Sequence, residues 1–246
     1  MEIFDHFLSN LKNESIDNTK IDLQLILVKD NIRIIQNDFF SIFKLVFKIQ
    51  FKKEFIEDNE SIEFVKLLIN YFFQNDNFFN SPCLKKQINF PSFCKGLIIV
   101  GNPGIGKSDI LKVFEIIFKK YCKINKNFYF IISDSNNIVK EFESTVNQFS
   151  RNDFYTRYSN AFRCLDDVKC EPYGSNFGKT NVIKEILHAR HKSDKKTIIT
   201  CNYDNEYPDD FIKAIDEFGT KYGERIYDRL FEMFNFIEIK GQSKRI

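Results

Sequence analysis

The sequence predicts an α/β protein: a parallel sheet flanked by helices from about Lys95 onward, preceded by a small, mostly helical N-terminal region. Three observations predict it. Short apolar runs alternate with helix-period segments from Lys95 to the C-terminal end. One of these runs leads through a glycine-rich turn into a helix. The first 80 residues read as helices. Strands separated by helices pair in parallel and bury both faces of their sheet.

In the N-terminal region, Phe39, Ile42, Phe43, Val46 and Phe47 follow helical spacing. Asn59 or Ser61 is placed to cap a second helix through Ile62, Val65, Leu68 and Phe72. The polar stretch Gln74–Pro91 holds two prolines, and residues 81–94 are expected to link a region 1–80 to a domain 95–246. Then come a strand Leu97–Val100, a helix Asp109–Tyr121, a strand Phe128–Ile132, a helix Ile138–Phe149 and a strand Phe162–Leu165. A helix Val182–His191, a strand Thr197–Cys201, helices Asp209–Phe218 and Tyr222–Phe234 and a strand Phe236–Lys240 complete the pattern. No internal repeat is apparent.

The chain of 246 residues is 43% hydrophobic and 28% charged, enough to bury a core. Its 29 Phe and absence of Trp read as compositional bias rather than as an aromatic function. Net charge is +2, unevenly spread: residues 1–80 carry 9 Lys/Arg against 13 Asp/Glu, the remainder 27 against 21. A modestly basic second part is compatible with nucleic acid. The six cysteines, at 83, 94, 122, 164, 170 and 201, form no C-x-x-C, and His6, His188 and His191 complete no zinc pattern. Dispersed thiols and a polar N-terminus without signal-peptide character lead us to expect a cytoplasmic protein. Lys44 and Lys48 interrupt the apolar run Phe39–Phe51, so no membrane span is expected there.

Gly101-Asn102-Pro103-Gly104-Ile105-Gly106-Lys107-Ser108 matches G-x-x-x-x-G-K-[ST]. Glycines let backbone N–H groups turn inward around an anion, and the following helix directs its positive end at the same place. In this pattern Lys107 reaches the β and γ phosphates of a nucleoside triphosphate, and Ser108 is a ligand for Mg²⁺. Three of the chain's nine glycines sit in this one loop, which argues against a chance match. ATP with Mg²⁺ is the expected ligand.

Leu165-Asp166-Asp167 closes a short strand well beyond Ser108. The intervening helix, strand and second helix would place Asp166 on the strand next to the phosphate loop. There it would share the Mg²⁺ shell while Asp167 orients an attacking water. Arg163 and Cys164 make this strand less apolar than a buried one should be, and a solvated acidic turn is the competing reading. Asn202, after the strand Thr197–Cys201, is placed to position water near a γ-phosphate or simply to start a turn. Arg225 and Arg229 share a helix face. They are either solvated arginines or a finger toward a neighbouring subunit's nucleotide.

Taken together, Lys95–Arg245 resembles the AAA+ ATPases of the DnaC/IstB group, the replicative helicase loaders and transposition helper ATPases. The resemblance rests on Lys95 to Ser108, Cys164-Leu-Asp-Asp-Val168, Asn181 to Arg190, Thr200-Cys-Asn202, Tyr222-Gly-Glu-Arg-Ile-Tyr-Asp-Arg-Leu230 and Gly241-Gln-Ser-Lys-Arg245. It implies a P-loop NTPase AAA+ core with a minimal C-terminal lid, since only six residues follow Lys240. It also implies Lys107 and Ser108 as Walker A, Asp166 and Asp167 as Walker B, and Asn202 as first sensor. Arg229 would be the arginine finger with Arg225 beside it, and Arg245 the second sensor.

Two departures stand out. Val168-Lys169 occupies the place where relatives have an apolar residue and Gly. The zinc ligands of some loaders' N-terminal domains are missing. The leading expectation is an ATP-hydrolysing helicase loader that forms homo-oligomers through ATP at subunit interfaces. It would deliver a replicative helicase, held by residues 1–80, to single-stranded DNA. The alternative is a transposition helper that assembles on DNA and recruits a transposase. A small-molecule kinase on the same loop, and a binding module that does not hydrolyse ATP, are weaker competitors.

Overall fold

The computed structural model of the protein describes residues 32–121, 128–176 and 178–245, with the side chains of all these except 32–38, 120 and 121. Residues 1–31 of the expected N-terminal region, including His6, and also Cys122 lie outside the described residues. The described residues begin with two helices, α1 (Ile32–Phe51) and α2 (Asn59–Phe72), followed by a 3₁₀ turn at Asp76–Asn80. Asp58 caps α2, its carboxylate accepting from Ser61 N. Then come β1 (Gly96–Gly101), α3 (Lys107–Tyr121), β2 (Ile131–Asp134), α4 (Ser135–Glu143), α5 (Gln148–Ser159) and β3 (Arg163–Asp166). The two-residue strands β4 (Gly174–Ser175) and β5 (Lys179–Thr180) form a small hairpin. The chain continues with α6 (Val182–Lys192), β6 (Thr197–Cys201), α7 (Phe211–Tyr222), α8 (Glu224–Met233) and β7 (Phe234–Ile239).

Five strands form one sheet in the order β2-β3-β6-β1-β7, every pair parallel. This is the α/β architecture expected from the alternating pattern. One expectation fails: β3 does not lie beside β1. Strand β6 separates them, pairing Ile98 with Ile199 on one side and Cys164 with Ile198 on the other. Strand order is set by contacts distant in sequence, which the spacing of local patterns does not contain.

The pleat divides β1 between two apolar layers. Leu97 and Ile99 face a layer that includes α1, α2 and α3, whereas Ile98 and Val100 face one that includes α4 to α8. The first layer is rich in phenylalanine. Phe39 and Phe72 lie 5.0 and 5.7 Å from Phe114 of α3, and Phe72 stacks on Phe130 at 5.6 Å. The apolar faces of α1 and α2 are thus spent on the sheet's own core.

Residues 81–94, read above as a linker, are stitched to the sheet edge. Cys83 O accepts from Glu238 N and Phe236 O from Lys85 N, both at 2.9 Å, with an antiparallel bridge between Leu84 and Ile237. Farther along, the buried Asn235 side chain accepts from Ser92 N and donates to Ser92 O and Gly96 O. Asn89 donates to Phe231 O and Phe234 O. This segment covers the β7 edge, which would otherwise present unpaired backbone groups.

The segment expected as one helix, Ile138–Phe149, is two. Ser144 and Thr145 turn their hydroxyls onto Glu141 O and Phe142 O, and Asn147 with Ser150 forms a capping box that starts α5. Strand β2 begins three residues later than expected and β7 two residues earlier.

Candidate functional site

The loop between β1 and α3 turns on two glycines in the left-handed region, Gly104 at φ 81° and Gly106 at φ 96°. The turn brings Lys107, the first residue of α3, back over the end of β1. Its ammonium donates to Gly101 O at 2.6 Å, Asn102 O at 3.0 Å and Asn202 Oδ1 at 3.0 Å. All three acceptors are neutral. Burial, with minor opposition from nearby acidic groups, pushes Lys107 down to about 8. A desolvated cation at a helix N-terminus, bordered by inward-turned backbone, is a site that an anion would satisfy.

Opposite Lys107 stand the ends of β3 and β6. Ser108 Oγ donates to Asp166 Oδ1 at 2.8 Å although β3 is two strands away from β1. Thr200 Oγ1 donates to the same carboxylate oxygen at 2.5 Å and accepts from Asp167 N at 2.9 Å. Asn202 closes the circuit, its amide donating to Asp167 Oδ1 at 2.9 Å while its oxygen receives Lys107. Asp167 holds φ 55°, which turns its carboxylate away from the strand direction and into this cluster. Asp166 and Asp167 are both half-buried and carry these hydrogen bonds. A hydroxyl and a carboxylate on facing elements are hard oxygen donors of the kind Mg²⁺ takes.

These groups open into a cavity of about 850 Å³. Pro103, Gly104, Ile105, Gly106, Lys107 and Ser108 form one wall, and Asp166, Asp167, Thr200 and Asn202 another. The third wall was not foreseen: Phe47, Lys53, Phe55, Ile56 and Ser61 come from α1, α2 and the loop between them. The C-terminal tail supplies Lys244 and Arg245 to the same cavity. That tail crosses the glycine loop. Lys244 N donates to Gly104 O at 2.9 Å, and a Cβ on Gly104 would sit 2.4 Å from Ser243 Oγ. The Lys244 ammonium reaches the α2 cap, pairing with Asp58 at 2.6 Å and bonding Ser61 Oγ. Asn102 leaves the loop sideways, donating to Asp209 at 3.0 Å.

Arg225 and Arg229 are placed elsewhere. Neither lines the cavity. Arg225 is exposed on α8, and Arg229 lies against His188 of α6, with Nη1 2.5 Å from Nδ1. Burial and the Arg229 charge hold His188 below its ordinary range.

Sequence reasoning missed Thr200 as a second-position partner of both aspartates. It also treated Lys169 only as a departure. Lys169 is in fact buried behind the site, with its ammonium on Asn202 O at 2.9 Å. The signal for Thr200 was a lone hydroxyl at the polar end of an apolar strand.

The fold and cavity define a class: an α/β protein with a glycine-rich loop between an inner parallel strand and its helix, its buried lysine near paired acids. Comparison with solved structures gives a particular likeness. The chain matches a primosome-component candidate from Streptococcus pyogenes serotype M3 with a TM-score of 0.51 and 16% identity, covering 78% of this chain and 85% of that one. It also matches the crystal structure of the DnaC helicase loader, with a TM-score of 0.47 and 22% identity over 60% of this chain and 79% of that one. The DnaI crystal structure matches with a TM-score of 0.47 and 19% identity, over 75% and 87%. At these identities the likeness is one of fold. No protein-family profile matches the chain, and no curated protein sequence does. No described helix is long and apolar enough to cross a membrane.

Proposed function

We propose that this chain is an ATP-binding and ATP-hydrolysing AAA+ protein of the DnaC/IstB group, acting in the cytoplasm to load a replicative helicase onto single-stranded DNA. The observation that carries the reading is the closed circuit of Lys107, Asn202, Asp167, Thr200, Asp166 and Ser108 around one cavity. It joins an anion cradle to a pair of acids, as phosphoryl chemistry requires.

In this reading Gly101 to Lys107 hold the triphosphate, and Ser108 with Asp166 hold Mg²⁺. Mg²⁺ held there would supply positive charge to offset that of the phosphates. Asp167 accepts a proton from, or orients, the attacking water, and Asn202 fixes its direction. Arg245 senses the nucleotide from the tail. Arg229, with Arg225, serves a neighbouring copy's nucleotide, in keeping with their distance from their own cavity. The N-terminal region meets the helicase. The fold likeness to the Streptococcus primosome-component candidate supports a replication context.

The test is ATP turnover by the purified chain with and without single-stranded DNA, beside capture of the cognate helicase. We expect DNA-stimulated hydrolysis that Asp167→Asn and Arg229→Ala each reduce by about 10²-fold or more. Arg229→Ala should keep nucleotide affinity. No turnover, or no helicase capture with or without ATP, would refute the respective half of the reading.

A further inference from the structure

Lys169 sits three residues past Asp166, in a backbone conformation that costs energy for any residue but glycine: φ is 83°, two residues after Asp167 at φ 55°. A glycine would remove that cost. The lysine is held there from both ends. Its N–H donates to Glu171 Oε2 at 2.9 Å and to the Tyr222 hydroxyl at 3.1 Å. Its carbonyl accepts from Lys221. Its side chain is 4% exposed and runs beneath the site, donating to Asn202 O at 2.9 Å, Ala214 O at 3.1 Å and Glu217 Oε2 at 2.5 Å. The ammonium also lies over the Phe218 ring, 5.6 Å from its centre.

A buried ammonium is tolerated only when its hydrogen bonds are filled, so this side chain cannot drift without loss. The residue it fixes most directly is Asn202. With the Asn202 main chain tied from below, its side chain spans Lys107 Nζ and Asp167 Oδ1 at 3.0 and 2.9 Å. Glu171 and Tyr222 tie the backbone of the same loop from behind, their side chains 2.7 Å apart. Lys169 therefore joins the acidic loop, the end of β6 and helix α7 into one rigid support.

We propose that Lys169 is a positioning residue for ATP hydrolysis: it sets the Asp167–Asn202 pair through the Asn202 main chain and touches no nucleotide itself. The proposal rests on the hydrolysis reading above. A positioning role predicts a loss in the chemical step alone.

The test uses the full chain, measuring kcat and KM for ATP, fluorescent-ATP affinity and melting temperature. Lys169→Met keeps the bulk and the strained backbone but loses the cation. It should lower kcat about tenfold to a hundredfold, while KM and nucleotide affinity stay within about twofold. Lys169→Arg should recover much of kcat. Lys169→Gly relaxes the backbone and should melt no lower than Lys169→Met, yet remain slow. Glu217→Gln leaves the lysine in place and weakens only its ion pair. It should show a smaller loss of the same kind, and it is the deciding variant if Lys169→Met fails to fold. Wild-type turnover with unchanged kcat in Lys169→Met or, failing that, in Glu217→Gln overturns the positioning role and leaves the hydrolysis reading intact. A fall in kcat matched by an equal fall in affinity also overturns it, since that is general loosening. A wild-type chain that binds ATP without hydrolysing it overturns both.

Discussion

Burial holds Lys107 at about 8 against an ordinary 10.5, and this has a measurable sign. A triphosphate binds the charged lysine, so affinity should be level below about pH 7.5 and fall by up to about tenfold per pH unit above 8. In the window from about 8 to 10.5 the unfolded chain keeps a proton that the folded one has lost, so Lys107's own contribution to ligand-free stability rises with pH. Fluorescent-nucleotide titration across this range should show the fall, and Lys107→Met should bind weakly with a flat profile. A wild-type profile flat through pH 9.5 would contradict the burial argument. At this scale much of the site was legible. Lys107 and Ser108 are contiguous in a pattern that chemistry dictates. Asp166, Asp167 and Asn202 end strands, where side chains leave the sheet. Lys169 was not legible, because its role depends on a positive φ and on Ala214 and Glu217 far along the chain.

The helices show how the first layer is filled. Phe114 of α3 is fully buried among Phe39, Phe43 and Phe72, so its ring, with that of Phe118, joins the N-terminal helices to the helix that begins at Lys107. Phe114→Ala should cost about 3–5 kcal/mol in urea unfolding. Because α3 presents Lys107 and Ser108, the same change should weaken nucleotide binding without touching the site. A loss under about 1 kcal/mol would mean that α1 and α2 pack loosely. Helices α1, α2, α3 and α6 were readable from the spacing of their apolar residues. The break between α4 and α5 was not, since apolar residues continue through Val146 and Phe149, both largely exposed. The side-chain caps of Asn147 and Ser150 prevail over that pattern.

Across the whole molecule, the third wall of the cavity and the tail that crosses the loop tie distant parts of the chain together. Lys244 and Asp58 are the junction. Burial alone would raise Asp58, but hydrogen bonds from Lys244 and Ser61 outweigh it and hold the carboxyl below its ordinary value. The contact therefore contributes stability at neutral pH that is lost as pH falls through the Asp58 range. A double-mutant cycle with Lys244→Ala and Asp58→Asn should give a coupling of about 0.5–1 kcal/mol at pH 7 that is lost as acid protonates Asp58; additive effects at pH 7 would show the tie to be idle. None of this was legible beforehand, since residues 1–80 were read as a region apart. The parallel pairing of β1 has a consequence in time as well as space. Its two partners, β6 and β7, begin at Thr197 and Phe234, roughly a hundred residues or more beyond it. On the ribosome, β1 and its glycine loop emerge long before either strand that pairs with β1, and such distant pairing is slow to form. A nascent chain of this protein is thus expected to carry an unpaired Leu-Ile-Ile-Val segment until Phe234–Ile239 has left the ribosome, and to need protection from its neighbours for that interval.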